Sequence, residues 1–280
     1  MFWKSTYNEC IKIVAKPRSY IGMAAITALV GVILFAMLVD GHKYVSMITS
    51  SFEQTFAFKG NLLNGYFMAY IVLQMLIIHV PLLIALVTGD LVSGEASAGT
   101  LRMLVSKPIS RSEILLSKFL AGNIYTLTIL IWLGILALGV GNLLFGPGDL
   151  IIFKAEGLVI LPGDDVLWRF FSGFIVAYLA LVTVSTLSIT LSCFTDNSIG
   201  PIVTTMAIII LFTIIGNLDV QVFDSVRPFL FTTHMVAWRS FFDDPIREYE
   251  IVKAVLVLLT HIIVLLGIAL YKFNKKDILS

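Results

Sequence analysis

Few residues in this chain are of types and spacings that do chemistry. His42, His79, His234 and His261 are scattered, and Cys10 and Cys193 stand far apart, so no Cys/His cluster has the spacing of a metal site. No G-x-S-x-G elbow and no G-x-x-x-x-G-K-[ST] phosphate loop occurs. No catalytic residue and no metal ligand is therefore assigned. The adjacent carboxylates Asp164 and Asp165 follow Leu161-Pro162-Gly163 and read better as a solvated turn than as a cation site. His79 and His261 are the histidines that fall in apolar stretches, where a hydrogen-bonded packing role is the expectation. Gln74, His79 and Asn123 are the more polar groups of these stretches and are candidate lining for a pathway.

The elements that must position such residues are set by where charge is missing. Of 280 residues, 58% are hydrophobic and 13% charged, against roughly 25% charged in a soluble domain. Six windows carry no Asp, Glu, Lys or Arg: 19–39, 60–89, 119–148, 170–195, 197–218 and 254–271. A helix needs about 20 apolar residues to cross a bilayer. In hydrocarbon, only helices and closed barrels satisfy their own backbone. Runs such as Ile208-Ile209-Ile210-Leu211-Phe212 do not alternate as barrel strands do. The pattern excludes a soluble enzyme and a nucleic-acid-binding domain. It predicts an all-α integral membrane protein, one transmembrane domain over 1–280, with spans near 19–39, 66–88, 116–142, 169–193, 199–217 and 252–271. The first window is too long for a cleaved signal peptide and reads as an anchor.

Six spans put both termini on one side. That side carries 11 Lys/Arg and 6 Asp/Glu, the other 8 and 12. The basic side is expected to be cytoplasmic, with N and C termini inside; a multi-pass place in the inner membrane of a prokaryote is the expectation. Both cysteines then lie on the reducing side and need no disulfide.

Residues 1–18 place Trp3, Tyr7, Cys10, Ile11 and Val14 at helical spacing, with Lys4, Glu9, Lys12 and Lys16 on other faces. This is an amphipathic helix at the membrane surface, ended by Pro17. Segments 40–65 and 149–168 read as outer loops. The longer outer segment 218–251 is dense in aromatics, and one or two short helices dipping into the outer leaflet are expected there.

The 89–110 loop is the most patterned stretch. Leu101, Leu104 and Val105 give one apolar face to a short helix that Pro108 ends. Ser110-x-x-Glu113 is a capping box, with Ile109 and Ile114 at the staple positions, so the third membrane helix should start at Arg111. A capped, stapled elbow transmits force where a floppy loop does not.

This stretch resembles the permease subunits of type-2 ATP-binding cassette (ABC) transporters. The resemblance rests on Ser93-Gly94-Glu95, Gly99-Thr100-Leu101-Arg102, Ser106-Lys107-Pro108-Ile109-Ser110-Arg111 and Leu116-Ser117-Lys118-Phe119, and on the six-span plan. It implies an export-type membrane domain that is not itself an enzyme. It implies two copies of a separate ATP-binding subunit, which hold the ATP and Mg, and a second permease, identical or not. Lipids are its other surroundings. Glu95 and the helix Gly99, Thr100, Leu101, Arg102, Leu104, with Pro108 closing it, would be the coupling helix in a groove of the ATPase. The N-terminal helix would lie beside it, Thr195–Ser198 would be a minor contact, and the second and fifth spans would line the interface between permeases. Within the family, a role in biogenesis (metal-centre or cofactor maturation, cell-surface or gliding machinery) stays open beside export. A secondary transporter or membrane scaffold without an ATPase is the alternative of another class. Nothing in the spans selects a substrate.

Overall fold

The computed structural model describes residues 2–50, 62–76, 78–106, 108–154 and 157–277. Residues 51–61 of the 40–65 loop, and Lys107 of the elbow, lie outside the described residues. Among these, helix α1 runs Phe2–Ala15 and α2 Pro17–Thr49; then come α3 Gly65–Leu76, α4 His79–Thr88, α5 Asp90–Ser97 and α6 Thr100–Val105. Helix α7, Arg111–Gly134, passes through a π turn at Ile135–Val140 into α8, Gly141–Phe145. A hairpin of β1 Leu150–Lys154 and β2 Gly157–Leu161 precedes α9 Gly163–Ser192, α10 Ile199–Asn217, the short α11 Phe231–His234 and α12 Glu248–Lys275. Among the described residues, six helical segments are long and apolar enough to cross a membrane. The chain is an all-α multi-pass membrane protein.

The long α9 is the pillar. It packs against α4, α7, α10 and α12. Its C-terminal half is rich in buried hydroxyls, which apolar side chains cannot satisfy. Thr183, Thr186 and Thr190 donate one turn back, to Leu179 O (3.1 Å), Val182 O (2.6 Å) and Thr186 O (2.7 Å). Ser188 reaches Ala85 O of α4 at 3.2 Å, and Thr190 also reaches Leu265 O of α12 at 3.1 Å. Such bonds join helices where lipid gives no hydrophobic drive to association. The outer faces of α2, α9, α10 and α12 expose residues such as Phe35, Phe171, Leu211 and Ile263, as lipid contact requires.

Three expectations need correction. The second span is not one helix: α3 ends at Leu76 and α4 starts at His79. Pro81 has no N–H to give one turn back. The third span is not uniformly α-helical but carries the π turn, set among Gly134, Gly139 and Gly141. Gly141 lies against Gly65: a Cβ on it would stand 3.3 Å from Gly65 O. The two helices therefore cross at backbone contact. The 149–168 segment is not a plain loop, because Leu150↔Leu161 through Lys154↔Gly157 pair as antiparallel strands. Its Asp165 belongs to the first turn of α9 and is paired: Arg169 Nε donates to it at 2.7 Å and Trp168 Nε1 also donates.

The outer segment folds as short turns around α11, with a 3₁₀ stretch at Ala237–Phe242 wedged against α9 and α12. Phe242 stacks edge-on against Phe170 (4.8 Å) and Tyr70 (5.3 Å). Arg169 holds this wedge by donating to Phe241 O (2.8 Å) and Asp243 O (3.0 Å). Trp238 and Phe242 are buried there by the helix ends.

Candidate functional site

At the end of the bundle carrying both described termini, the sequence concentrates its charge, and the fold turns that charge inward. Helix α1 lies along α7. Its apolar stripe of Trp3, Tyr7, Ile11 and Val14 is exposed, while Thr6, Glu9 and Ile13 are buried. The polar face of the helix is the one packed against protein. The apolar stripe read from the sequence is exposed on one face; the inward pairing of Glu9 and Lys12 is not legible there.

Lys118, one turn into the apolar part of α7, has no exposed surface. Its Nζ stands 2.7 Å from Glu9 Oε2 and 2.7 Å from Glu95 Oε2. Lys12 Nζ closes the figure, 2.6 Å from Glu9 Oε1 and 2.7 Å from Glu95 Oε1. Two carboxylates and two ammonium groups thus form a neutral, closed square joining α1, α5 and α7. A lysine taken out of water is tolerated only with such pairing. Burial pulls Lys12 down, but its hydrogen bonds to Glu9 and Glu95 and their charges outweigh this, leaving it above its ordinary value of 10.5. Its contribution to docking is therefore present below pH 10.5 and is lost only as pH climbs through that raised value.

Asp90 anchors the start of α5 in the same way. Its Oδ2 takes Lys16 Nζ at 2.8 Å, and its Oδ1 takes Arg18 at 2.9 Å and Ser198 Oγ at 2.6 Å. A carboxylate in a helix's first turn is also favoured by the aligned peptide dipoles. The free N–H groups there are satisfied from another helix: Ser192 Oγ, at the end of α9, accepts from Val92 N (3.2 Å) and Ser93 N (2.8 Å). Gly94 makes room for Asp90, since a Cβ on it would lie 2.3 Å from Asp90 Oδ1.

The elbow follows. Gly99 adopts φ +71, which an L side chain resists, and turns α5 into α6. On α6, Leu101 is buried, Leu104 and Val105 are half-buried, and Thr100, Arg102 and Met103 face outward. Pro108 is exposed and lies beyond the end of α6. Ser110 Oγ accepts from Glu113 N at 3.2 Å, and α7 starts at Arg111. This is the Ser110 half of the capping box; the Glu113 carboxylate lies 3.5 Å from the Ser110 hydroxyl, which donates to it, in place of the reciprocal bond from the Ser110 backbone N–H. Replacing Ser110 by alanine is expected to cost about 1 kcal/mol, measured as a lower midpoint in a thermal melt of the detergent-solubilised chain.

The same end is tied to the last helix. Arg111 donates to Asn274 O (3.0 Å) and Lys276 O (2.7 Å). Lys276 Nζ meets Asp196 at 2.7 Å and Thr195 O at 3.0 Å. Between α1 and the α6–α7 turn runs an open groove of about 400 Å³, its walls including Lys4, Asn8, Ile11 and Leu104. The geometry is a braced arm with an exposed tip, suited to receiving a push and passing it to α7 and α9.

The three polar residues of the spans do not assemble. Gln74 lines a polar cavity at the opposite end, His79 is exposed with Nδ1 3.1 Å from Met75 O, and Asn123 is buried between helices. His261 likewise bonds its own helix, Nδ1 lying 2.8 Å from Val257 O. Among the described residues no group of three or more His, Cys, Asp or Glu is placed to hold a metal.

A family described as "Protein of unknown function (DUF2705)" matches residues 21–279. Over 91 residues the chain is 35% identical to a protein of Stutzerimonas stutzeri described as "Probable ABC transporter permease protein NosY". That stretch is 32% of this chain and 33% of the relative, so the match spans about a third of the length of each.

Proposed function

We propose that this chain, which belongs to the DUF2705 family of proteins of unknown function, is the membrane-spanning permease subunit of an ABC transporter. The observation that carries the reading is the elbow: α5 is tied through Glu95 by ion pairs to α1 and α7, and the α6 that follows it presents Thr100, Arg102 and Met103 at an exposed tip. A helix presented this way at the basic end of a membrane protein is suited to a partner that moves. The likeness to a described ABC permease over 91 residues supports the same reading.

In this mechanism the partner is an ATP-binding subunit in two copies, which holds the ATP and Mg. Closure of the two copies pushes on the α6 tip. The square of Glu9, Lys12, Glu95 and Lys118 converts that push into movement of α7. Ser192 passes it to α9, and Asp90 passes it to Lys16 and Arg18 at the start of α2 and to Ser198 before α10. Glu95 acts here from inside the arm, as a positioning residue. A second permease, identical or different, completes the pathway; α10 has the open apolar face that such a neighbour would cover. The direction is export, from the cytoplasmic membrane outward. Reversing the exposed Arg102 to glutamate is expected to lower recovery of a P-loop ATPase with the tagged chain at least fivefold, with insertion unchanged. Equal recovery by the variant, or an intact and active protein purifying alone, would contradict the reading.

A further inference from the structure

The strongest unassigned feature is a cavity of about 570 Å³ at the end of the bundle opposite the elbow. That volume is within the range of small-molecule sites, ~300–1,000 Å³. α9 sets the separation: its 30 residues, at 1.5 Å each, put its two ends about 45 Å apart. The cavity lies between α3, the hairpin, the 3₁₀ wedge and the start of α12.

Its charge is one-sided. Five cations and two carboxylates line it. Asp243 answers two of the cations, Lys154 and, at 2.8 Å, Arg247. Arg227 is answered from outside the cavity by Asp224 at 2.9 Å. Arg239 and Lys253 have no carboxylate partner among the described residues. Glu250, the second lining carboxylate, is exposed and pairs with none of the five.

The cavity also carries donors with no protein acceptor. Arg239 Nε, Arg227 Nε and Thr233 Oγ1 are buried atoms without a hydrogen-bond partner, and all three residues line the cavity. A buried, unmatched donor costs free energy until an acceptor meets it. Burial draws Arg239 below the ordinary arginine value, with Tyr70 opposing this. The cation is held at a cost that an anion would relieve. Guanidinium forks, a hydroxyl and a lysine ammonium together match the oxygens of a phosphate. The apolar cavity on the other face of the same wedge, bounded by Trp238, Phe242 and Leu73, is only about 60 Å³. It is too small for an acyl chain, so the polar site reads a charged group rather than a tail.

We propose that this outer cavity binds a phosphate-bearing anion through Arg239, Lys253, Arg227 and Thr233. The source is an anionic lipid headgroup or a soluble phosphate ester. The proposal stands apart from the permease reading, since binding needs neither ATPase nor transport.

The test is thermal melting of the full-length chain in neutral detergent, titrated with phosphatidylglycerol in one arm and glycerol phosphate in the other, and with phosphatidylcholine as control. A ligand that binds the folded state raises the melting point with its concentration. Stabilisation by phosphatidylglycerol but not phosphatidylcholine supports a lipid source; stabilisation by glycerol phosphate alone supports a soluble one. In either case Lys253→Gln and Arg239→Gln should each weaken the apparent affinity by about tenfold or more. Lys253 is half-exposed, so its variant carries the test even if Arg239→Gln folds poorly. No stabilisation of the wild-type chain by either anion, or stabilisation unchanged in Lys253→Gln, would overturn the proposal.

Discussion

Replacing Lys118 by methionine is expected to destabilise the chain by about 3–5 kcal/mol and to release α1 from α7. The methionine keeps the volume and removes the charge, so the loss is not one of packing. It leaves Glu9 and Glu95, 3% and 11% exposed, sharing Lys12 alone, with an uncompensated negative charge in a site out of water. Breaking one partner of a buried ionic group costs that much because the remaining charge is stranded. The square also predicts its own rescue. Removing Glu95 together with Lys118, as Lys118→Met with Glu95→Gln, leaves Glu9 and Lys12 as a neutral pair. The double variant should be more stable than Lys118→Met alone. Two independent sites would instead give additive losses. Thermal melts of the four proteins measure the cycle. Cys10, half-buried on α1, reports undocking through faster reaction with a thiol reagent in Lys118→Met. Additive losses, or unchanged Cys10 reactivity, would mean that the square does not hold α1.

Gly94→Ala is the second change with a large expected effect. Its Cβ would fall 2.3 Å from Asp90 Oδ1 and 2.6 Å from Asp90 Cγ, distances that no packing tolerates. The carboxylate must therefore leave Lys16, Arg18 and Ser198. Overpacking alone costs roughly 1–3 kcal/mol, and the lost ion pairs place this substitution at the upper end of that range. Gly99→Ala is a useful contrast. Nothing lies within 4 Å of its would-be Cβ, so only the left-handed backbone is penalised, by roughly 1–2 kcal/mol. A Gly94→Ala melting loss no larger than that of Gly99→Ala would contradict the role given to Asp90.

What was legible follows from which physical signal each element leaves. Six charge-free windows predict six spans because burying a charge in lipid is costly, and that signal is strong. Ser110 and Glu113 predict the start of α7 because a cap is a local device. The square was not legible, since it depends on three segments meeting: Glu9 and Lys12 read as a solvated face until α7 brings Lys118 beside them. Lys118 did leave one trace, standing at the very edge of a 30-residue charge-free window. The break between α3 and α4 was hidden because a proline within an apolar run is tolerated in membrane helices. The hairpin was missed because Leu150–Lys154 and Gly157–Leu161 are only five residues each.

The central claim is that the α6 tip is where an ATP-binding partner engages. The most direct measurement places a photo-activatable cross-linker on a cysteine at Met103, which is 65% exposed, in a chain lacking Cys10 and Cys193 and expressed in its native membrane. The account predicts a cross-linked product containing a P-loop ATPase, formed at position 103 and lost at a cysteine placed at exposed Val222 on the opposite end. A product with the ATPase at Val222, or none at Met103 while the chain is folded and active, would contradict it.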